Sequence, residues 1–369
     1  MAAVYGDSPM DNQRTRPTRG GRRTSHLPFN LAVFERKLRA ALGFHTEERS
    51  CGEPGSITPE LHGDTRRALK SWLFSNLLSK YDPGDKTDAE RRVTVAMEKF
   101  WQAEEKCYWT NLRFEQTHRD IVKMHPGLEV ARQLILKLLG EEVPLNEIAR
   151  GFGFSGGATT RLPRSRGDAV YKYSAKAEVT PNARSAAEAA ILADATWIHV
   201  PRDCEGMPQL VSTWGNRVIT VPKNYKTDRV IAVEPDMNMY VQKGLGSVLR
   251  RRLRKVGVDL DDQTLNQVAA RDLGNATIDF SMASDLVSQG LVKFLLPPNW
   301  CDFIASTRSE FGVVGDRQLH RYSKVSSMGN GYTFELESLI FWALAAAVTP
   351  TDMHYRIRVY GDDVILPTE

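Results

Sequence analysis

The sequence predicts an α+β fold, and three observations carry that expectation. Through residues 27–139 apolar side chains recur at helical spacing. From residue 218 onward, short β-branched runs appear, and two pairs of them flank turn residues as hairpins do. Between and after those runs stand longer helical stretches, each closed by a Pro or Gly.

In the first stretch, Leu31, Phe34, Leu38, Leu42 and Phe44 fall at roughly helical intervals, as do Leu69, Leu73, Leu77 and Leu78. Tyr81-Asp82-Pro83-Gly84 reads as a stop, and residues 130–139 form a further helix closed by Gly140. Trp72, Trp101 and Trp109 read as core anchors of this helical scaffold. Ahead of it, residues 1–25 carry Arg14, Arg16, Arg19, Arg22 and Arg23 with almost nothing to bury, the pattern of a disordered basic arm.

The bulk numbers exclude more than they assign. With 369 residues, 41% hydrophobic and 25% charged, the chain can build two or three structural units around a sizeable core. A net charge of +4 suits an anionic partner without establishing one. The four cysteines are far apart and form no CxxC pair, which argues against a zinc site or a disulfide framework and fits a reducing compartment. No apolar leader opens the chain, and the longest apolar run, 339–348, is too short to span a bilayer, so a cytosolic protein is expected.

Gly151-Phe152-Gly153-Phe154-Ser155-Gly156 matches GxGxxG, but a helical segment precedes it and Arg161-Leu162-Pro163-Arg164 follows. A dinucleotide fingerprint needs a strand before and a helix after, so this is read as a loop. Its continuation carries Arg161, Arg164, Arg166 and Lys172 beside Tyr171 and Tyr173, which suits an RNA backbone with stacked bases as well as it suits a solvated loop.

Residues 218–222 and 230–233 then read as two strands of a hairpin whose turn carries Lys223, Lys226 and Arg229. Lys supplies a point charge and Arg a bidentate fork, so the turn could grip a triphosphate, although most charged hairpin turns are merely solvated. A helix follows Glu234-Pro235 and ends in Arg250, Arg251, Arg252, Arg254 and Lys255, cations that could track nucleic acid or complement the helix dipole.

Residues 276–281 form a β-type run that delivers Asp279 between apolar Ile278 and Phe280. A strand end beside a helix start is a usual place for a metal ligand. Asp285 is expected in the first turn of the next helix, where an N-terminal dipole partner is the plainer role. Ser326-Ser327-Met328-Gly329-Asn330-Gly331 opens a long helix to about residue 348. Its two glycines allow close approach to a ligand.

Near the end, Tyr360-Gly361-Asp362-Asp363 lies between two apolar runs as a hairpin with adjacent acids at its tip. Like charges that close repel unless a cation lies between them, and a divalent metal is the obvious one.

Taken in order, the cationic hairpin, the strand-borne Asp, the Gly loop and the YGDD hairpin resemble a known family. The strings VPKNYKTDRVIAVEP, TIDFSMASD, SSMGNGYTFELESLIFWALA and VYGDDVILP are closely similar to the replicase catalytic (beta) subunit of single-stranded RNA bacteriophages, the levivirus group, an RNA-directed RNA polymerase. The resemblance implies a right-hand polymerase with fingers and a palm, its antiparallel palm sheet flanked by helices. It places a helical scaffold at 26–150, fingers with the cationic hairpin at 151–270 and a catalytic palm at 271–369. Because the chain stops soon after YGDD, the thumb is expected to be missing and the chain to be a truncated replicase.

By the same resemblance, Asp279, Asp362 and Asp363 hold two Mg²⁺ ions for nucleotidyl transfer. Lys223, Lys226 and Arg229 meet the incoming phosphates, Asp285 senses the ribose 2′-hydroxyl, and Gly329, Asn330 and Gly331 position template and nascent pair. An RNA template and NTPs, host elongation factors Tu and Ts, and a ribosomal small-subunit protein are the implied partners, in the cytoplasm of an infected bacterium. A non-catalytic RNA-binding fragment is the alternative. A reverse transcriptase shares the Tyr-x-Asp-Asp hairpin, but Asp285 speaks against it.

Overall fold

The computed structural model describes residues 86–368, apart from 205, 225 and 317, together with short helical pieces at 36–38, 40–41, 72–74 and 77. The basic arm at 1–25 and most of the helical repeats read between 31 and 84 lie outside the described residues. The chain divides into two units, Met1–Pro83 and Gly84–Glu369, and all the described strands belong to the second.

The element order of this second unit is α1 (Lys86–Phe114), α2 (His118–Met124), α3 (Pro126–Leu139), α4 (Leu145–Ala149), β1 (Glu178–Val179), α5 (Arg184–Ala193), β2 (Val211–Ser212), β3 (Gly215–Pro222), β4 (Asp228–Val233), α6 (Asp236–Arg254), α7 (Thr264–Ala269), β5 (Asn275–Asp279), α8 (Gln289–Leu295), α9 (Pro298–Thr307), β6 (Phe311–Val314), β7 (Gln318–Arg321), α10 (Thr333–Val348), β8 (Arg358–Tyr360) and β9 (Asp363–Pro367). Helices and sheets are thus mixed, as the sequence leads one to expect.

Periodic burial along α3 and near-continuous burial along α6 put Ile135, Leu139, Leu245, Leu249 and Leu253 on faces that meet. Into this core α10 inserts Leu336, Leu339 and Ile340. Apolar on nearly every side, α10 is the buried central helix of the unit. Each fully buried Leu or Ile here contributes about 1.5–3 kcal/mol. Trp300 is fully buried in the same cluster, and its indole N–H donates to the Gly140 carbonyl at 3.0 Å, satisfying a group that the end of α3 leaves open. A second cluster gathers Val179, Ile191, Trp197, Met237 and Tyr240 around the N-terminal half of α6.

Two sheets position the candidate site. One has strand order β4-β3-β6-β7, with β3 antiparallel to β4 and parallel to β6. The other has order β5-β9-β8 and is antiparallel throughout. Helix α1 crosses behind the first sheet, and there the buried Arg92 donates to Asp228 Oδ1 at 3.1 Å, fixing the base of the β3–β4 hairpin.

The tryptophan expectation fails in part. Trp101 and Trp109 are 36% and 55% exposed, and Trp72 is 48% exposed. Helix α1 buries the stripe carrying Phe100, Ala103 and Cys107, and Trp101 and Trp109 sit at its margin. The buried tryptophans are Trp197, Trp300 and Trp342, on segments that pack against α6 and α10.

Candidate active site

Strand β5 ends on Asp279, and Phe280 beyond it stacks on Phe341 of α10, with ring centroids 4.5 Å apart and an interplanar angle of 16°. That contact anchors the strand end without covering the carboxylate. Across the ladder Asp279 lies directly opposite Asp363, the first residue of β9. Opposed residues of an antiparallel pair share a face, and like charges there are destabilising. Tyr360 pairs with Asp363, so the β8–β9 turn is the two-residue loop Gly361-Asp362. Gly361 has φ +63 and Asp362 lies outside the left-handed region, the signature of a II′ turn with Gly first. The acids are therefore not both at the tip. Asp362 occupies the turn, and Asp363 starts the strand facing Asp279.

The turn is held against α10. A Cβ at 361 would lie 2.5 Å from the Phe334 ring, and the Gly361 N–H donates to Ser338 Oγ at 3.0 Å. The Phe334 and Tyr360 rings meet edge to face at 5.0 Å.

Burial and the neighbouring charges of Asp362 and Asp279 raise the pKa of Asp363. Glu337 on α10 is pushed up to about 8, first by burial and then by Asp362, Asp285 and Glu335. Among the described residues its buried Oε2 has no hydrogen-bond partner. A carboxyl raised in this way binds a proton in the folded protein that the unfolded chain has lost. Its stabilising contribution is full below the unfolded value near 4.5 and is gone above about 8. In chelator-treated buffer, stability should fall between these pH values by about 1.4 kcal/mol per pH unit from this group alone. Glu337→Gln should remove that part of the slope, as urea unfolding at stepped pH would show; an unchanged slope would refute it.

Hard carboxylate oxygens are the donor chemistry that Mg²⁺ takes. Among the described residues no three His, Cys, Asp or Glu side chains are grouped tightly enough to enclose a metal ion. Mg²⁺ keeps several waters and is usually bound by one or two carboxylates plus substrate phosphates, so an open edge bearing Asp279, Asp362 and Asp363 fits it.

Asp279 and Asp362 line a cleft of about 550 Å³, and Asp363 lies beside them, outside the lining, opposite Asp279. Lys223 and Arg229 of the cationic hairpin line it together with Asp279, Asp285, Glu337 and Asp362. Lys226 lies half-buried on the turn, outside that lining; Asn224 Oδ1 accepts the backbone N–H groups of Lys226 and Thr227 at 3.0 Å each, which shapes the turn.

Gly329 and Asn330 also line the cleft. Gly329 has φ +120, and a Cβ there would run into the Ala232 carbonyl of β4. Ala232 N–H in turn donates to the Met328 carbonyl at 2.8 Å. The loop is therefore laid directly on the cationic hairpin. Its anchor is Glu234, fully buried. Asn216 and Asn330 each donate to Oε1 at 2.7 Å; Gln242 and Ser309 donate to Oε2 at 3.0 and 2.9 Å. Burial raises the Glu234 pKa, against these donors and the charge of Arg308. Gln242 Oε1 accepts the Gly331 N–H at 2.9 Å.

Asp285 departs from expectation. It sits in a single 3₁₀ turn, Ala283–Asp285, entered through Met282 at φ +58, while α8 begins at Gln289 with Ser288 Oγ capping the Leu291 N–H. It is thus no dipole partner of α8, and its carboxylate meets Lys324 at 2.7 Å.

The cations proposed for RNA divide. Arg164 and Arg166 are exposed. Arg161 pairs with the buried Asp236 at 2.9 Å. Lys172 is fully buried, donating to the carbonyls of Ser155 and Gly157, and cannot meet RNA from there. The end of α6 is likewise occupied: Arg250 pairs with Glu335 and Asp261, Arg251 and Arg252 with Glu147, and Arg254 with Asp259 and Asp261. Sequence reading missed Glu234, Lys324 and Arg92, for their partners are remote in the chain.

The RNA-directed RNA polymerase subunit beta of Qbeta virus (strain MX1) is 40% identical over 314 residues, covering 81% of this chain and 51% of that protein. The subunit of the same name from Enterobacteria phage SP is 43% identical over 320 residues, 80% of this chain and 52% of that one. The RNA-directed RNA polymerase beta chain of Enterobacteria phage GA is 36% identical over 349 residues, 91% and 64% respectively. This chain thus spans about half the length of the first two relatives and somewhat more of the third. The model of the family described as RNA replicase, beta-chain, matches residues 39–369, and with the paired acids, cationic hairpin and Gly loop around one cleft the chain belongs to that family.

Proposed function

We propose that the cleft joins ribonucleotides to a growing RNA strand under the direction of an RNA template, as part of viral genome replication. The observation that carries this reading is the register that sets Asp279 opposite Asp363, with Asp362 in the adjoining turn, on the edge of a cleft whose lining includes Lys223 and Arg229. In right-hand terms, residues 271–369 supply palm and residues 151–270 fingers, with residues 26–150 as scaffold.

Asp279, Asp362 and Asp363 hold Mg²⁺, two ions by resemblance. When bound, Mg²⁺ lowers the pKa of the attacking 3′-hydroxyl and offsets charge on the leaving pyrophosphate. Lys223 and Arg229 neutralise the incoming triphosphate, and Lys226 stands beside them on the same turn. Asp285 accepts a hydrogen bond from the ribose 2′-hydroxyl. The loop Gly329-Asn330-Gly331 brings backbone close to the nascent pair, and Arg164 and Arg166 meet the RNA backbone.

The relatives are named as subunits, which supports work within a complex. Host elongation factors Tu and Ts and a ribosomal small-subunit protein are the proposed companions, in the cytoplasm of an infected bacterium. No described helix is long and apolar enough to cross a membrane.

The test is incorporation of labelled ribonucleotides by this chain with template RNA, Mg²⁺ and the host factors. Incorporation that follows the template and favours NTPs over dNTPs is expected. Template-independent addition, equal use of dNTPs, or no incorporation at all would overturn the proposal.

A further inference from the structure

Outside the acids and the cationic hairpin, the most unusual group near the cleft is Lys324, whose side chain is 1% exposed. Its ammonium lies 4.4 Å from the Phe100 ring centroid and 5.3 Å from that of Tyr322. A cation in such a slot needs counter-charge, because an unpaired buried ion is costly. Two carboxylates supply it: Asp285 Oδ1 at 2.7 Å and Glu104 Oε1 at 3.6 Å. Glu104 is itself held from the other side, its Oε2 accepting the Ser323 N–H at 2.7 Å and lying 3.0 Å from His320 Nε2. The Asp285 backbone carbonyl accepts from Cys107 Sγ at 3.4 Å. Helix α1, through Glu104 and Cys107, therefore braces Asp285 from behind.

We propose that Lys324 is a positioning residue for nucleotide selection, which occupies Asp285 Oδ1 and so leaves Oδ2 as the fixed acceptor offered to the cleft. This rests on the reading of Asp285 given under Proposed function. A carboxylate oxygen accepts hydrogen bonds. With the ammonium on Oδ1, the carboxylate is held in one orientation at the cleft that Asp285 lines. Such a group rewards the ribose 2′-hydroxyl that donates to it, and a 2′-deoxyribose has no hydroxyl at that carbon. Without Lys324 the carboxylate can rotate, and the preference goes.

Equilibrium binding of GTP and dGTP to the 369-residue chain reads this directly, without turnover. The wild type should prefer GTP, and Asp285→Ala should abolish the preference. Lys324→Met should lower the GTP/dGTP affinity ratio by about tenfold, the weight of one hydrogen bond to a charged group. Because that variant leaves Glu104 and Asp285 uncompensated, the double variant Lys324→Met/Glu104→Gln, which removes one buried charge of each sign, is measured beside it. Either variant, folded by circular dichroism and keeping the wild-type ratio, overturns the role of Lys324. A ratio that Asp285→Ala leaves unchanged overturns the reading of Asp285 itself, and this proposal with it.

Discussion

Asp362→Asn is expected to reduce template-directed incorporation by at least about 10³-fold while leaving the fold intact. The size follows from the charge stabilisation a bound metal supplies, several kcal/mol, at 1.36 kcal/mol per factor of ten. Asn keeps the shape of the side chain and a neutral acceptor, so the II′ turn at Gly361-Asp362 and its bond to Ser338 survive. A second readout separates lost chemistry from lost structure. Mg²⁺ that binds only the folded chain raises its unfolding temperature by mass action. That rise should be present in the wild type and largely absent in the variant. In chelator the order reverses. Asp362 is among the charges that raise the Asp363 pKa, so neutralising it relieves repulsion and should stabilise the metal-free protein by up to about 1 kcal/mol, the scale of two unit charges roughly 4 Å apart in water. An Asp362→Asn chain that still gains stability from Mg²⁺ and still incorporates nucleotide would remove these acids from the metal site.

Asp363→Asn sharpens the point, since burial acts on this acid as well as repulsion from Asp362 and Asp279. A raised acid pKa makes the metal-free protein less stable as pH rises through it. The Asn variant should lose that part of the pH dependence.

Much of this site is local enough to be legible in sequence. A β-run ending in Asp279, a Gly-Asp turn between apolar runs and a Gly-Asn-Gly loop before a helix are each set within a few residues, and each lies where the sequence places it. What could not be read is register and remote pairing. That Asp279 faces Asp363, while Asp362 sits in the turn, depends on which residues of β5 and β9 align. The partner of Asp285 is 39 positions away and that of Asp228 is 136 away. Cations mislead most. Lys172 and the arginines ending α6 read as free charge, because lysine and arginine are almost never buried unless paired. Here they are paired, with carbonyls or acids supplied by other elements.

The second large effect belongs to Glu234, which sequence marked only as part of the Glu234-Pro235 step before a helix. Glu234→Ala should destabilise the chain by at least about 3 kcal/mol, since four donors, three of them buried, lose one acceptor group and each unsatisfied buried polar group costs about 1–3 kcal/mol. Glu234→Gln should be milder, yet not neutral. Its carbonyl can still serve Asn216 and Asn330, but its amide would face the Gln242 amide and the Ser309 hydroxyl, both donors in the wild type. Ser309 can turn its hydroxyl to accept. Gln242 cannot flip its amide without abandoning the Gly331 N–H that its Oε1 holds. The consequence for function is directional. Asn330 and Gly331 lose their anchors, whereas no residue of the β5–β9–β8 sheet touches Glu234 among the bonds described. Mg²⁺ stabilisation should therefore persist in Glu234→Gln while nucleotide affinity falls and protease cleavage within 326–331 quickens. Urea unfolding, Mg²⁺ thermal shift and limited proteolysis measure the three effects on one preparation. If Glu234→Ala unfolds within about 1 kcal/mol of wild type, the scale of a single net hydrogen bond, the four donors have found other partners and Glu234 is not the anchor of the loop.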